Sequence, residues 1–387
     1  MQNLLYICAV SFFMVSFISV SYAQPSAMIQ APQTATSYLA PTVDFKIMAT
    51  AHSPAQPINA FLKDWDAPLT SGKYAYAQSR AALTIHPADS PIHYGLGWRY
   101  DYLIKFNEET AKLYWQYKNK QLVNKKASYS LELAAKHNER FGVNIGITKD
   151  LTPNWQLTTS ANLWRGIHVL EGKAAGTLTT QAMPDSENIR NLERLDKTFT
   201  SLDYFYDKPA LVEEDLNWFP EKPTGYGYSL DTQLTGKLSD KTILRIEGYD
   251  IFGKMHWHDA PSTRYLLDYD SNRRPNDKSE GDLTLNNEVQ DLSWRVESHL
   301  THDLNQDWQL GVHGQVNELH NIFQLSASYH TDYQDYPMMI SGIVEPQTKA
   351  IGIALDSQLG GIKFMADDLN SEKAKRAEIS LYGRYTW

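Results

Sequence analysis

The sequence holds a single cysteine, Cys8. It lies inside the N-terminal apolar stretch Leu4 to Val20, so removal of that stretch leaves no thiol and excludes disulfides and cysteine metal sites. More hydrophobic residues follow Cys8, which makes a lipid-modified cysteine a poor reading. Long hydrophobic runs are also scarce: beyond Val20 no segment is long and apolar enough for a transmembrane helix. Positive charge is short as well. Met1, Gln2 and Asn3 offer no Lys or Arg, so the positive region of an export signal rests on the terminal amine alone. Across the chain, 36 Lys and Arg stand against 45 Asp and Glu, a formal net charge of −9, which argues against nucleic acid as a partner.

Ser21-Tyr22-Ala23 before Gln24 has the small-x-small form of a signal-peptidase site. Residues 1–23 are therefore expected to be a signal peptide cleaved after Ala23. The alternative is an uncleaved anchor, because the apolar run is near the lower limit for a span. From Gln24 to Ala40 the residues are mostly Pro, Gln, Ala, Ser and Thr, which predicts a disordered lead-in.

From there the dominant signal is alternation with period two. In the last eleven residues Ile379, Leu381, Gly383, Tyr385 and Trp387 alternate with Glu378, Ser380, Tyr382, Arg384 and Thr386, giving a strand with one apolar and one polar face. Ile92 to Phe106 puts Tyr94, Leu96, Trp98, Tyr100 and Tyr102 opposite Gly95, Gly97, Arg99 and Asp101. At roughly ten or more residues it is long enough to cross a bilayer at the usual tilt. Leu113 to Lys118, Ala127 to His137 and Phe141 to Thr148 are further strand candidates. Two turns are near copies, Asp150 to Leu157 and Asp303 to Leu310, sharing the pattern D-L-x-x-[ND]-W-Q-L. Each opens into a strand whose first outward residue is tryptophan, Trp155 or Trp308.

The C-terminal strand resembles the terminal signal of Gram-negative outer-membrane β-barrels. The resemblance covers that strand and the layout of short turns and long loops. It implies an all-β, transmembrane, antiparallel up-and-down β-barrel in the cell outer membrane, with outer-membrane lipid around it and the barrel assembly machinery reading its last strand. Negative overall hydropathy is compatible with this, since only alternate residues of a barrel strand face lipid. The aromatic content, with 23 Tyr and 10 Trp, suits interfacial girdles, for which Trp98, Trp155, Trp308, Tyr385 and Trp387 are the candidates. The main rival is a soluble secreted β protein, whose strands would include fully apolar ones. Counting candidates and requiring an even number gives between about 12 and 16 strands over residues 41–387. Long loops are expected at about 172–223, with a short helix at Glu187 to Phe199, and at about 259–288.

Candidate functional residues fall in several groups. Arg99, Asp101, Lys105, Asp231, Lys237, Arg245, Glu247, Asp250, Arg295, Glu297, His299, Glu378 and Arg384 are expected to point inward. In a wide barrel they line a wet lumen and set which solutes pass; in a narrow one they pair across the interior and close it. His256 and His258 share a strand face and have Asp259 beside them, a pattern open to a divalent metal, although rim histidines are more often plain loop residues. The aromatic and acidic stretch Asp203 to Phe219 either constricts the pore, binds a sugar or a protein, or packs on the rim. No motif resembles the Ser/His arrangement of outer-membrane phospholipases or the Asp/His sets of barrel proteases, so no catalytic residue and no cofactor is expected. The leading expectation is a porin-like channel or export pore for polar solutes or polysaccharide. The alternative is a non-conducting receptor, adhesin or assembly accessory.

Overall fold

The structure is a computed structural model that describes residues 40–62, 66–119, 128–180, 195–209, 217–269, 279–333 and 336–387. The expected signal peptide and nearly all of the lead-in lie outside the described residues, as do positions 210–216 of the aromatic and acidic stretch and the peak of the expected loop at 270–278.

The strands are β1 (Thr42–His52), β2 (Tyr74–His86), β3 (Ile92–Phe106), β4 (Ser128–Thr152), β5 (Trp155–Thr180), β6 (Leu195–Tyr206), β7 (Thr224–Ser239) and β8 (Thr242–Tyr269). They continue as β9 (Glu280–Asp291), β10 (Arg295–Asp303), β11 (Trp308–Asn317), β12 (Asn321–Tyr333), β13 (Tyr336–Glu345), β14 (Ala350–Ser357), β15 (Gly360–Ala366) and β16 (Arg376–Thr386). All pairings are antiparallel. β16 pairs with β1 from Thr42↔Thr386 to His52↔Arg376, and β8 pairs with β10, so the sheet closes on itself as a 14-strand barrel. β6 and β9 stand outside that ring, extending β5 and β8 beyond one end.

Closure leaves the ring itself without an open edge, which is what a sheet needs in a solvent that offers no hydrogen bonds. The exterior completes the argument. Outward positions carry Ile353 at 69% exposure, Leu163 at 64% and Ile145 at 59%, with Val143, Val312, Phe323, Leu325, Ile351 and Phe364 around the same belt. An unbroken apolar belt of this extent is not tolerated on a monomeric soluble protein. It is the lipid-facing surface of an outer-membrane β-barrel. Among the described residues no helix is long and apolar enough to cross a membrane; the strands do the crossing.

The first described residues and the C-terminus lie at one end of the barrel, where Trp387 N–H donates to Pro41 O at 3.2 Å. In this class that is the periplasmic end. The copied turns both fall there and fold alike: Gln156 Nε2 donates to Asp150 Oδ1 at 3.1 Å, and Gln309 Nε2 donates to Asp303 Oδ1 at 2.7 Å. Trp308 is 44% exposed beside Tyr329, and Trp387, 56% exposed, stacks on Tyr385 at 6.0 Å. Trp155 covers Gly236 so closely that a Cβ there would sit 2.4 Å from its ring. Trp98 differs: it is half-buried on the outer face farther up β3, and its Nε1 donates to Glu139 Oε1 at 3.0 Å.

Three expectations need correction. Leu113 to Lys118 is not a strand but the end of a helix, Glu108–Lys118, here α2, the shorter Ile58–Leu62 being α1. Asn107 caps it, its Oδ1 accepting from Thr110 N–H at 2.8 Å, with Glu108 and Glu109 in the favourable first turn. The span 172–223 is largely not a loop. β5 runs through it to Thr180, and the described end of the expected helix, Leu195 to Phe199, belongs to β6; positions 187–194 lie outside the described residues. Likewise 259–288 is mostly the β8–β9 hairpin. These hairpins stand above the lipid, where neither face needs to be apolar, so their strands carry Thr and Ser instead of the alternation that marks the belt.

Candidate functional site

The pleat sends every second residue inward, and in this barrel those positions hold long charged side chains that meet across the interior. The largest group joins β3 and β4 to β7 and β8. Arg140 is fully buried; its Nη1 lies 2.8 Å from Asp101 Oδ2 and its Nη2 lies 2.7 Å from Asp250 Oδ2. Arg99 pairs with both Asp231 and Asp250. Its guanidinium also lies over the Trp164 ring, as does that of Arg140, at 4.8 and 5.3 Å. Gln78 Nε2 donates to Asp101 Oδ1 at 2.8 Å. Asp250 is positioned by an irregularity in β8, where Asp250 and Phe252 take φ values of 55° and 53°. This turns the Asp250 carboxylate inward while Phe252, 81% exposed, points out to lipid.

A second group spans the full width of the barrel. Lys46 on β1 donates from Nζ to the Tyr249 hydroxyl on β8 at 3.3 Å, and that hydroxyl donates to Glu247 Oε2 at 3.1 Å. The Arg80 guanidinium stacks on the Tyr249 ring at 4.3 Å. Arg295 on β10 reaches Met48 Sδ on β1 at 3.5 Å and holds Glu297 Oε1 at 2.5 Å. A third group ties β12, β13, β15 and β16. Arg376 donates to Glu345 Oε1 at 2.8 Å and to Glu378 Oε2 at 2.6 Å, while Lys363 Nζ reaches Glu378 Oε1 at 2.6 Å and Gln324 Oε1 at 2.7 Å.

In the first group Arg99 and Arg140 face Asp101, Asp231 and Asp250; in the third Arg376 and Lys363 face Glu345 and Glu378. The third set is neutral, which is the condition for holding charges out of water. Among the described residues these charges pair with one another inside the barrel rather than standing apart along its wall. Above the polar layer Trp164, Val169, Met255, Trp257, Ala260 and Leu292 form an apolar cluster with Phe205 against it. At the periplasmic mouth there is a recess of about 600 Å³ lined by Asp303, Gln309, His330 and Met339.

Of the residues singled out from sequence, Arg99, Asp101, Asp231, Glu247, Asp250, Arg295, Glu297 and Glu378 lie within these groups, with Arg245 at 3.7 Å and His299 at 3.8 Å from Glu247. Three do not. Lys105 is exposed at the extracellular end of β3. Lys237 lies at the periplasmic rim, where its ammonium, 2.8 Å from Asp240, holds that turn carboxyl below its usual range. Arg384 grips Asp44 at 2.6 Å in the exposed mouth. The histidines His256 and His258 and the nearby Asp259 are exposed on the outside, with His256 stacked on Tyr228 at 6.3 Å. Tyr204 and Tyr206 from the aromatic stretch are buried within β6, Tyr206 bonded to Thr263 at 2.9 Å. On the extracellular side His320, between β11 and β12, stacks on Tyr76 at 4.5 Å, and burial pushes it down to about 3. It is uncharged at neutral pH.

No protein-family model matches the sequence, and no curated relative matches it. Among solved structures the chain is similar to the Pseudomonas putida toluene transporter TodX, at 10% identity over 91% of this chain and 90% of that one, with a TM-score of 0.35. A TodX mutant described as a monoaromatic hydrocarbon channel gives 10% identity, 91% coverage of each chain and a TM-score of 0.39. A Pseudomonas aeruginosa FadL homologue gives 9%, 89% of each chain and 0.29. Similarity this weak leaves substrate and mechanism to be argued from the chain itself.

Proposed function

We propose that the protein is a gated outer-membrane channel for small solutes, closed in the arrangement described. The observation that supports this most is the nature of the barrier. Among the described residues it consists of side chains rooted in the wall strands, and side chains change rotamer far faster than a packed domain leaves a barrel. The inward charges would then select the solutes that pass. A polymer would require a much wider opening, so small polar solutes and ions are the favoured class. The terminal strand β16, ending in Trp387, is the segment proposed to be read by the barrel assembly machinery.

Single-channel recording in planar bilayers tests the reading. The wild type should show rare, short openings. The double variant Arg99→Ala/Asp231→Ala, which removes a cation and an anion together, should open for a much larger share of the time. The filled interior favours one other reading, a barrel that never conducts and presents the β5–β6 and β8–β9 hairpins to a partner. Silence from both proteins, each shown to be folded by heat-modifiable migration, would establish that reading. Toluene, the solute named for TodX, belongs in a parallel uptake assay. Transport of toluene without any conductance would move the substrate class from polar to apolar.

A further inference from the structure

The second charged group contains an arrangement that ion pairing does not explain. Glu297 and His299 stand two residues apart on β10 and so share its inward face. His299 is the direct cross-strand partner of His313 on β11, and the two imidazoles stack at 4.1 Å with 12° between their planes. Both Nε2 atoms converge on one carboxylate oxygen. Glu297 Oε2 is 3.6 Å from His299 Nε2 and 3.5 Å from His313 Nε2, beyond the range of a good N–H···O bond. Among the described residues this is the one group of three or more His, Cys, Asp or Glu whose ligand atoms all fall within 4.8 Å of one another.

The tautomer of His313 follows from its partners. Gln324 Nε2 donates to Glu345 at 2.9 Å and to Glu378 at 3.3 Å, while Gln324 Oε1 accepts from Lys363 Nζ at 2.7 Å. That network assigns the amide orientation, so the 3.1 Å contact between His313 Nδ1 and Gln324 Oε1 requires the proton on Nδ1. In the neutral ring Nε2 is left with its lone pair. It is buried, has no hydrogen-bond partner, and faces a carboxylate that has nothing to donate. A lone pair aimed at an anion is repulsive unless a cation sits between them.

We infer that Glu297, His299 and His313 form a binding site for a divalent transition metal, best suited to Zn²⁺. Ligands around one tetrahedral Zn²⁺, bonded at about 2.0–2.1 Å, stand about 3.3 Å apart, close to the two Nε2–Oε2 separations found here; the stacked imidazoles turn about their Cβ–Cγ bonds to bring both lone pairs onto the ion. Two imidazoles and one carboxylate suit Zn²⁺ and disfavour Ca²⁺ and Mg²⁺, which take oxygen ligands. The outer contacts are those of a built site. Gln324 orients His313, and Arg295 holds the other oxygen of Glu297. Glu247 Oε2, 3.8 Å from His299 Nε2, is near enough to complete the coordination in place of a water. The His299 side chain is 28% exposed, which leaves the ion a way in from the lumen. The site stands whether or not the barrel conducts.

The test is metal binding by the refolded, detergent-solubilised barrel, titrated with Zn²⁺ and, for its visible spectrum, with Co²⁺. The wild type should bind one equivalent of Zn²⁺ and develop the intense visible bands of four-coordinate Co²⁺. His299→Gln and His313→Gln, with Glu297→Gln where it folds, should each weaken binding at least tenfold. His256→Ala/His258→Ala, on the exterior, should bind as the wild type does. Failure of the wild type to bind Zn²⁺ would overturn the assignment and leave a shared proton as the cation between these groups. Binding lost only in the exterior variant would overturn it as well.

Discussion

Arg140 ties together strands that are not neighbours, since its guanidinium joins Asp101 on β3 to Asp250 on β8. Breaking a buried pair by removing one partner costs about 3–5 kcal/mol, because the surviving charge stays buried. Arg140→Leu should therefore lower unfolding stability in vesicles by about 3 kcal/mol or more in urea titrations. Lys105→Ala, at an exposed strand end, should stay within about 0.5 kcal/mol of the wild type. Equal midpoints for the two variants would mean that the network is not fixed. Arg140 also shows where the sequence stops being informative. The Phe141 to Thr148 alternation pointed to a strand, but its extent was read from the apolar residues, and Arg140 lies just before the first of them. Glu345 and Arg376 escaped for the same reason, each one position beyond the last apolar residue of its strand. Arg99 and Asp101 were legible because apolar residues alternate with them on both sides.

At the scale of elements, strand length separates what lies in the membrane from what lies above it. A tilted span needs about 9–11 residues, whereas β8 has 28 and β5 has 26. Their lower parts pair with β10 and β7 to close the ring, and their upper parts pair with β9 and β6 outside it. Alternation identified the lower parts. Above the lipid no physical pressure keeps one face apolar, so these hairpins read as loops. Excising Ala174 to Leu202, which are Cα partners at one level of the β5–β6 ladder, and joining the ends through a short glycine linker should leave the β5–β7 ladder untouched. The shortened protein should still migrate in a heat-modifiable way and resist protease in detergent. Loss of both properties would show that the hairpin is part of the barrel's closure. The copied turns are the opposite case, fully legible, because an Asp, a Trp and a Gln at fixed spacing produce the same Asp–Gln hydrogen bond and the same outward ring in both places.

For the molecule as a whole, two physical demands set the arrangement. The outer face meets hydrocarbon and must be apolar. The inner face meets itself, and among the described residues its charged side chains pair with one another. The first demand was readable from alternation. The second needed the strand number, because the same inward charges line a channel in a wide barrel and pair across a narrow one.

Both demands are tested together by spin-label accessibility in lipid vesicles, made simple by a chain whose one cysteine is Cys8. Single cysteines at Leu163 and Ile353 should give nitroxides open to oxygen and closed to a water-soluble nickel chelate. Labels at the inward Ser229 and Gln315, whose side chains are 2% and 1% exposed, should be closed to both. Nickel access at the inward pair comparable to that of a free loop would contradict the filled interior, and nickel access at the outward pair would contradict the barrel's place in the membrane.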